Sequence, residues 1–454
     1  MLPRLLTSLF AGALAASTCF AALPDTATRS APADASDTAA PAAVATTPAA
    51  PLRIFAHVPN PKITEIWNNP QLFATPRTFP VDTASPVSAP ADFAPFVAKD
   101  GITPVFFEGE PLAGNPTRVF AWLGVPSSPG PFPGVVLVHG GGGTAYRDWV
   151  KIWMDRGYAA IAMDTNGATP LGEETMRVKA KGHAFAGPSA KASGIPFSEL
   201  PPRDQWVYHA VSTVIRAHSL LRATPRVDSE RIGLTGISWG GVMTEITAAI
   251  DNRFKCAAPV YACGFLGEDS FWLDKHFQEA TPAQSALWLS LWDPAQYIPL
   301  IKMPVLFTDG TNDKFFRLGS WQKTTALSTA PTTLSLRVRM THGHAPHGDP
   351  AEVAVFMDSF LKGGKPLPVI GQQGRDGDSA WVKFTSADDV SAARFNYTTD
   401  TGPWLARNWL NAPVKLAPGR INAAIPPGTT AYYFNLTAAR GANVSSPIIT
   451  PPVP

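Results

Sequence analysis

The segment Gly236-Ile237-Ser238-Trp239-Gly240 constrains this chain more than any other. It follows the apolar run Arg231-Ile232-Gly233-Leu234-Thr235, which reads as a buried strand, and precedes Gly241-Val242-Met243-Thr244-Glu245-Ile246, which reads as the start of a helix. A strand that passes into a helix through so few residues turns sharply, and the backbone of the central serine is strained. Glycine two residues to either side removes the Cβ atoms that would collide there. The Ser238 hydroxyl is thereby held out at the end of a sheet, at the positive end of a helix. Glycine is frequent here, 36 of 454 residues, so the spacing alone also fits a glycine-rich turn with a solvated serine. The order of the neighbouring elements decides between the two readings.

That order is regular. Val105-Phe106-Phe107 and the run 118–123 read as two strands joined by a turn at Gly114-Asn115. Gly134-Val135-Val136-Leu137-Val138 is continuous and β-branched, as in a strand covered on both faces. A helix fits 146–156, stopped by Gly157, and a strand fits 158–163. A polar loop runs through Pro202, and a long helix fits 205–221, with Val207, Val211, Val214, Ile215 and Leu221 on its apolar positions. Strands are expected at 254–261, 304–308 and 334–338, and a closing helix at 351–362, capped by Gly363-Gly364. Strands alternating with helices imply α/β architecture with a doubly wound, mostly parallel sheet. Ligands of such sheets bind beyond the carboxyl ends of the strands. After Gly374 the pattern becomes short alternating strands, 380–384, 393–398 and 430–436, which read as a small β-sandwich.

A serine hydroxyl is a poor nucleophile until a base takes its proton and a carboxylate steers that base. In this topology the order is Ser, Asp, His, with acid and base following later strands. Gly310-Thr311-Asn312-Asp313 lies past the strand ending at Thr308. Asp313 is preferred to Asp309, because the glycine turn before it lets its side chain double back. His344 leads as the base, ahead of His342 and then His347, and spacing leaves the first two open. The negative oxygen of an acyl-transfer transition state needs fixed N–H donors. Trp239 supplies one, directly after the serine. The loop His139-Gly140-Gly141-Gly142-Gly143 supplies the other, with Gly141 and Gly142 as the candidates. A phosphate-cradling loop would need a lysine that this segment lacks. No cofactor-binding motif is present, and the three histidines 342, 344 and 347 serve a triad better than zinc.

A net charge of +2 with interspersed charges points away from nucleic acid and from an anionic membrane surface. Arg4 followed by the apolar stretch 5–16 reads as an export signal over residues 1–22, too short for a membrane span. The expected location is secreted or periplasmic, with lipid attachment at Cys19 a lesser alternative. The Ala/Pro-rich stretch 23–51 reads as a disordered linker, and 52–101 as an irregular wrap around a catalytic domain at 102–368, with the β-domain at 375–454. In an extended run Cys256 and Cys263 stand about 20 Å apart, and a disulfide needs less than about 7 Å. Two separate thiols are expected unless the chain folds back after Tyr261. Asn396, Asn435 and Asn443 lie in sequons that are read as unmodified.

Taken together, Leu137 to Gly142, the approach 226–233 into Gly236 to Gly241, Gly310 to Asp313, and the His344 loop with its following helix resemble the α/β-hydrolase superfamily. The resemblance spans about 102–368 and is to the branch of acetyl xylan esterases, dienelactone hydrolases and prolyl-oligopeptidase-like enzymes. It implies Ser238 as nucleophile, Asp313 as acid and His344 as base. Many relatives carry one histidine where this chain carries His342-Gly343-His344. The implied activity is a serine carboxylesterase acting on a small-molecule or polysaccharide ester. A peptidase of the same fold would use an anchor such as Glu173-Glu174. A binding protein on the same scaffold is the non-enzymatic alternative, and the pattern leaves the oligomeric state open.

Overall fold

The computed structural model describes residues 60–81, 96, 98–170, 180–190, 199–343 and 350–451. The expected signal and linker lie outside them, as do Glu173, Glu174, His344 and His347. Eleven strands precede the closing helix: β1 (Thr78–Phe79), β2 (Ile102–Glu108), β3 (Arg118–Gly124), β4 (Phe132–Val138), β5 (Ala159–Met163), β6 (Ala168–Pro170), β7 (Ala180–Gly182), β8 (Val227–Ile237), β9 (Cys256–Val260), β10 (Val305–Gly310) and β11 (Thr332–Arg337). The helices are α1 (Pro61–Trp67), α2 (Arg147–Asp155), α3 (Trp206–Ala223), α4 (Trp239–Ile250), α5 (Phe271–Glu279), α6 (Pro282–Trp292), α7 (Leu318–Ala326) and α8 (Ala351–Leu361).

Nine of these strands form one sheet in the order β1-β2-β3-β5-β4-β8-β9-β10-β11. It is antiparallel from β1 to β5 and parallel from β5 onward. The stretch expected to wrap the surface contributes β1, which extends the sheet edge by pairing with β2. Strand β4 lacks polar alternation because both its faces are covered. Val136 and Val138 join the core layer of α3 and α4, while Val135 and Leu137 join that of α2 and α8. Cys256 and Cys263 are both buried free thiols, as expected.

Crossing of β8, α4 and β4 is only possible through missing side chains. A Cβ on Gly240 would lie 2.1 Å from the Val138 carbonyl oxygen, and one on Gly236 would lie 2.3 Å from that of Gly240. Both obstacles are backbone, which cannot rotate aside. Gly240→Ala is therefore expected to destabilise the fold by about 3 kcal/mol, the upper end of ordinary overpacking. Denaturant unfolding measures this, and a loss under about 1 kcal/mol would show that the elbow relaxes freely.

Beyond α8 the chain forms β12 (Val369–Asp376), β13 (Ser379–Thr385), β14 (Val390–Thr398), β15 (Leu410–Ala412), β16 (Lys415–Ala417), β17 (Arg420–Ala424), β18 (Ala431–Ala438) and β19 (Asn443–Ser445). They make two four-stranded sheets, β12-β13-β17-β16 and β15-β14-β18-β19. Val382 and Ile421 of the first sheet share one core with Phe395 and Phe434 of the second. That core runs on into α8 and Leu367, so the sandwich is packed onto the large sheet. Polar groups stitch the seam: Asn435 Nδ2 donates to the Leu336 carbonyl at 3.1 Å, and Asn443 Nδ2 to Ser335 Oγ at 3.3 Å. The sequon residues Asn396, Asn435 and Asn443 are all buried.

Candidate active site

Ser238 is the residue between β8 and α4, with φ 56° and ψ −125°. A non-glycine residue held there costs on the order of 1–3 kcal/mol and persists only where its surroundings impose it. Two bonds impose it here: the Ser238 N–H donates to the Val260 carbonyl at 3.0 Å, and its own carbonyl accepts from the Val242 N–H at 3.0 Å. The Ser238 Oγ lies 2.9 Å from His342 Nε2, and His342 Nδ1 lies 2.5 Å from Asp313 Oδ2. The structure thus brings together Ser238 and Asp313 with His342. His344, the leading base in the sequence, lies outside the described residues, and its place in the chain of hydrogen bonds is taken by the other histidine of the pair. The physical reason is local. The Tyr261 hydroxyl donates to the Gly343 carbonyl at 2.6 Å, and its ring lies 4.6 Å from the His342 ring. Phe315 packs on the same imidazole at 4.7 Å. Neither aromatic is marked in the sequence by any catalytic pattern.

Asp313 is held in place by the backbone that follows it. Its Oδ1 accepts from the backbone N–H groups of Phe315 at 2.7 Å and Phe316 at 2.9 Å, leaving Oδ2 for the imidazole. Asp309 is fully buried and accepts from the Gly310 N–H at 2.7 Å. Burial, reinforced by the Asp313 charge, pushes its carboxyl well above the usual range. A like charge nearby adds to the cost of ionising a carboxyl that burial already disfavours. Glu245 on α4, also fully buried, is pushed up by the same desolvation.

The glycine loop after β4 closes a tight turn, in which the Gly143 N–H donates to the Gly140 carbonyl at 2.8 Å. Gly141 and Gly142 are its central residues. A Cβ on Gly141 would lie 2.5 Å from Trp239 Cδ1, whereas one on Gly142 would meet nothing within 4 Å. The loop therefore lies directly against the residue that follows Ser238. The Trp239 N–H opens α4, and first-turn amides of a helix have no acceptor within it. Buried His139 anchors the loop base: Nδ1 donates to the Gly140 carbonyl at 2.7 Å, and Nε2 accepts from the Thr165 N–H at 2.9 Å. That pairing requires a neutral ring, and burial, opposed by Asp164, lowers its proton affinity.

The aromatic stretch after β9 forms α5 and α6, two helices that the sequence pattern did not reveal. Trp272 meets the Trp239 ring edge-on at 4.8 Å and Phe316 at 4.5 Å, and Trp288 closes on Trp239 at 6.3 Å. These rings pack around the residue after the serine, so their abundance is at once core and site wall. Among the described residues no group of three His, Cys, Asp or Glu side chains could hold a metal ion, and no helix is long and apolar enough to cross a membrane.

A mostly parallel sheet with helices on both faces, carrying a strained serine at a strand-to-helix elbow, is the α/β-hydrolase fold, and the chain is a serine hydrolase. Two family models match it: Acetyl xylan esterase (AXE1) over residues 104–268, and the Prolyl oligopeptidase family over residues 202–362. Among solved structures it is similar in fold to the acetyl xylan esterase from Paenibacillus sp. R4, with TM-score 0.50 and 18% identity, covering 68% of this chain and 99% of that one. Acetyl xylan esterase 1 from Thermoanaerobacterium sp. JW/SL YS485 matches with TM-score 0.46 and 15% identity, covering 62% and 88%. The Pyrococcus horikoshii acylaminoacyl peptidase matches with TM-score 0.41 and 20% identity, covering 58% of this chain and 42% of that one.

Proposed function

We propose that the chain is an exported serine carboxylesterase that works through an acyl-enzyme and removes acyl groups from polysaccharide or oligosaccharide esters. The observation that carries this reading is the unbroken chain from Ser238 Oγ through His342 to Asp313. Ser238 attacks the ester carbonyl while His342 Nε2 takes its proton. Asp313 stabilises the resulting imidazolium and holds the tautomer. The oxyanion is received by the N–H of Trp239 and by N–H groups of Gly141 and Gly142. Collapse breaks the bond to the alcohol oxygen, which leaves with the proton from His342. Water, deprotonated by the same nitrogen, then attacks the acyl-serine and frees the acid. The acetyl xylan esterase family match over 104–268 supports an ester over an amide, and the apolar stretch 5–16 behind Arg4 supports export.

The second reading, a serine peptidase, draws on the prolyl oligopeptidase match over 202–362. A panel of p-nitrophenyl acetate, acetylated xylan and aminoacyl p-nitroanilides separates the two. The expected result is release of acetate from the first two, with amide turnover lower by about 100-fold or more in kcat/KM, over 2 kcal/mol of transition-state preference. Preferential cleavage of the anilides would make the protein a peptidase. Failure of every substrate, together with no fluorophosphonate labelling of Ser238, would leave only a binding scaffold.

A further inference from the structure

Asn166 stands on the loop after β5, at the same carboxyl edge of the sheet as Ser238. Its Nδ2 donates to two carbonyls of the glycine turn, Gly141 at 2.9 Å and Gly143 at 3.2 Å. Its Oδ1 accepts from the Ala190 N–H at 3.2 Å. Its backbone N–H donates to Asp164 Oδ1 at 2.8 Å, and that oxygen also accepts from the Ala168 N–H at 2.8 Å. The side-chain amide thus has one orientation only, with its oxygen on a donor and its nitrogen on two acceptors. Neighbouring links hold the same loop: the Thr165 N–H on His139 Nε2, and Trp206 Nε1 donating to the Thr165 carbonyl at 2.7 Å. The Trp206 ring in turn lies edge-on to Trp239 at 5.3 Å.

We propose that Asn166 is a positioning residue that aims the oxyanion donors of the glycine turn. The inference rests on the reading of Ser238 as nucleophile and of this turn as donor. Within a trans peptide unit the C=O and the following N–H point in opposite directions. Drawing the Gly141 carbonyl onto Asn166 therefore turns the Gly142 N–H away from Asn166. Holding the Gly143 carbonyl fixes the Gly143–Thr144 peptide plane and so pins the far end of the turn on the other side of Gly142. Four successive glycines have the widest backbone freedom of any segment, so the turn has few constraints of its own to keep these planes in place. A donor that wanders by an ångström is a poor stabiliser of a developing charge, and such misplacement costs rate rather than substrate binding.

The test uses the full chain carrying Asn166→Ala or Asn166→Asp, with Ser238→Ala alongside. Active sites are counted with a fluorophosphonate, so kcat is expressed per competent site even where a variant folds in lower yield. Affinity is also measured for a trifluoromethyl ketone, which adds to the serine to form a tetrahedral anion. The expected result is a kcat per site lower by about 10- to 100-fold with KM within about 3-fold, and an equal loss of ketone affinity. Asn166→Asp falls further than Asn166→Ala, because a carboxylate repels the two carbonyls it replaces a donor to. A kcat per site within about twofold of the parent in both variants overturns the positioning role, as does ketone affinity that stays unchanged while kcat falls. If Ser238→Ala keeps its turnover, the failure lies instead with the hydrolase reading on which this inference stands.

Discussion

Ser238→Ala is expected to lower kcat on p-nitrophenyl acetate by about 10⁴- to 10⁶-fold, because in the proposed mechanism the acyl bond forms on the Ser238 hydroxyl. What survives is the catalysis of an oxyanion site and of binding alone, roughly 10³- to 10⁴-fold over water. The loss is chemical and not structural. The elbow conformation, φ 56° and ψ −125°, is imposed by the bonds to Val260 and Val242, which alanine retains. Ser238→Gly is equally inactive, yet it removes the Cβ from a left-handed backbone and is expected to raise unfolding free energy by about 1 kcal/mol. Steady-state kinetics and denaturant melts on the three proteins check both halves. A loss in kcat smaller than about 100-fold would mean that another group carries the nucleophile, and the assignment of the whole site would fall with it.

The second large effect separates the two histidines of the His342-Gly343-His344 sequence. His342→Ala is expected to cost about 10³-fold or more in kcat, and His344→Ala less than about tenfold. The imidazole of His342 lies between an alcohol oxygen at 2.9 Å and a carboxylate at 2.5 Å. Removing it takes away the proposed base and leaves Asp313 Oδ2 without its imidazole partner. Asp313→Asn would mimic part of this loss by reversing the donor and acceptor on the steering side of the ring. The reverse ranking of the two alanine variants would return the base to His344.

Much of the architecture was legible because its signals are local. The β4 run Val135 to Val138 lacks polar residues since the sheet is covered on both faces, and such a run can be read without knowing its neighbours. The elbow is readable for the opposite reason. Gly236 and Gly240 are demanded by backbone approaches of 2.3 Å and 2.1 Å, into which a side chain fits only if the backbone shifts. Asp313 was separable from Asp309 through the glycine that turns the chain before it. Helices α5 and α6 were not legible. Trp272, Trp288, Leu291 and Trp292 are buried among rings from several elements, so the apolar positions form no single stripe against a polar face. Asn166 gave no signal at all, since its meaning lies in carbonyls more than twenty residues away in the chain.

By itself, the sequence determined the doubly wound sheet, the sharp turn at Ser238 and the glycine loop beside it, since each follows from sterics or burial acting over a few neighbouring residues. Only the tertiary structure decided which imidazole meets the serine. Two histidines separated by one glycine are equivalent in the sequence, whereas in the structure a distant tyrosine, Tyr261, binds the Gly343 carbonyl and packs its ring on His342.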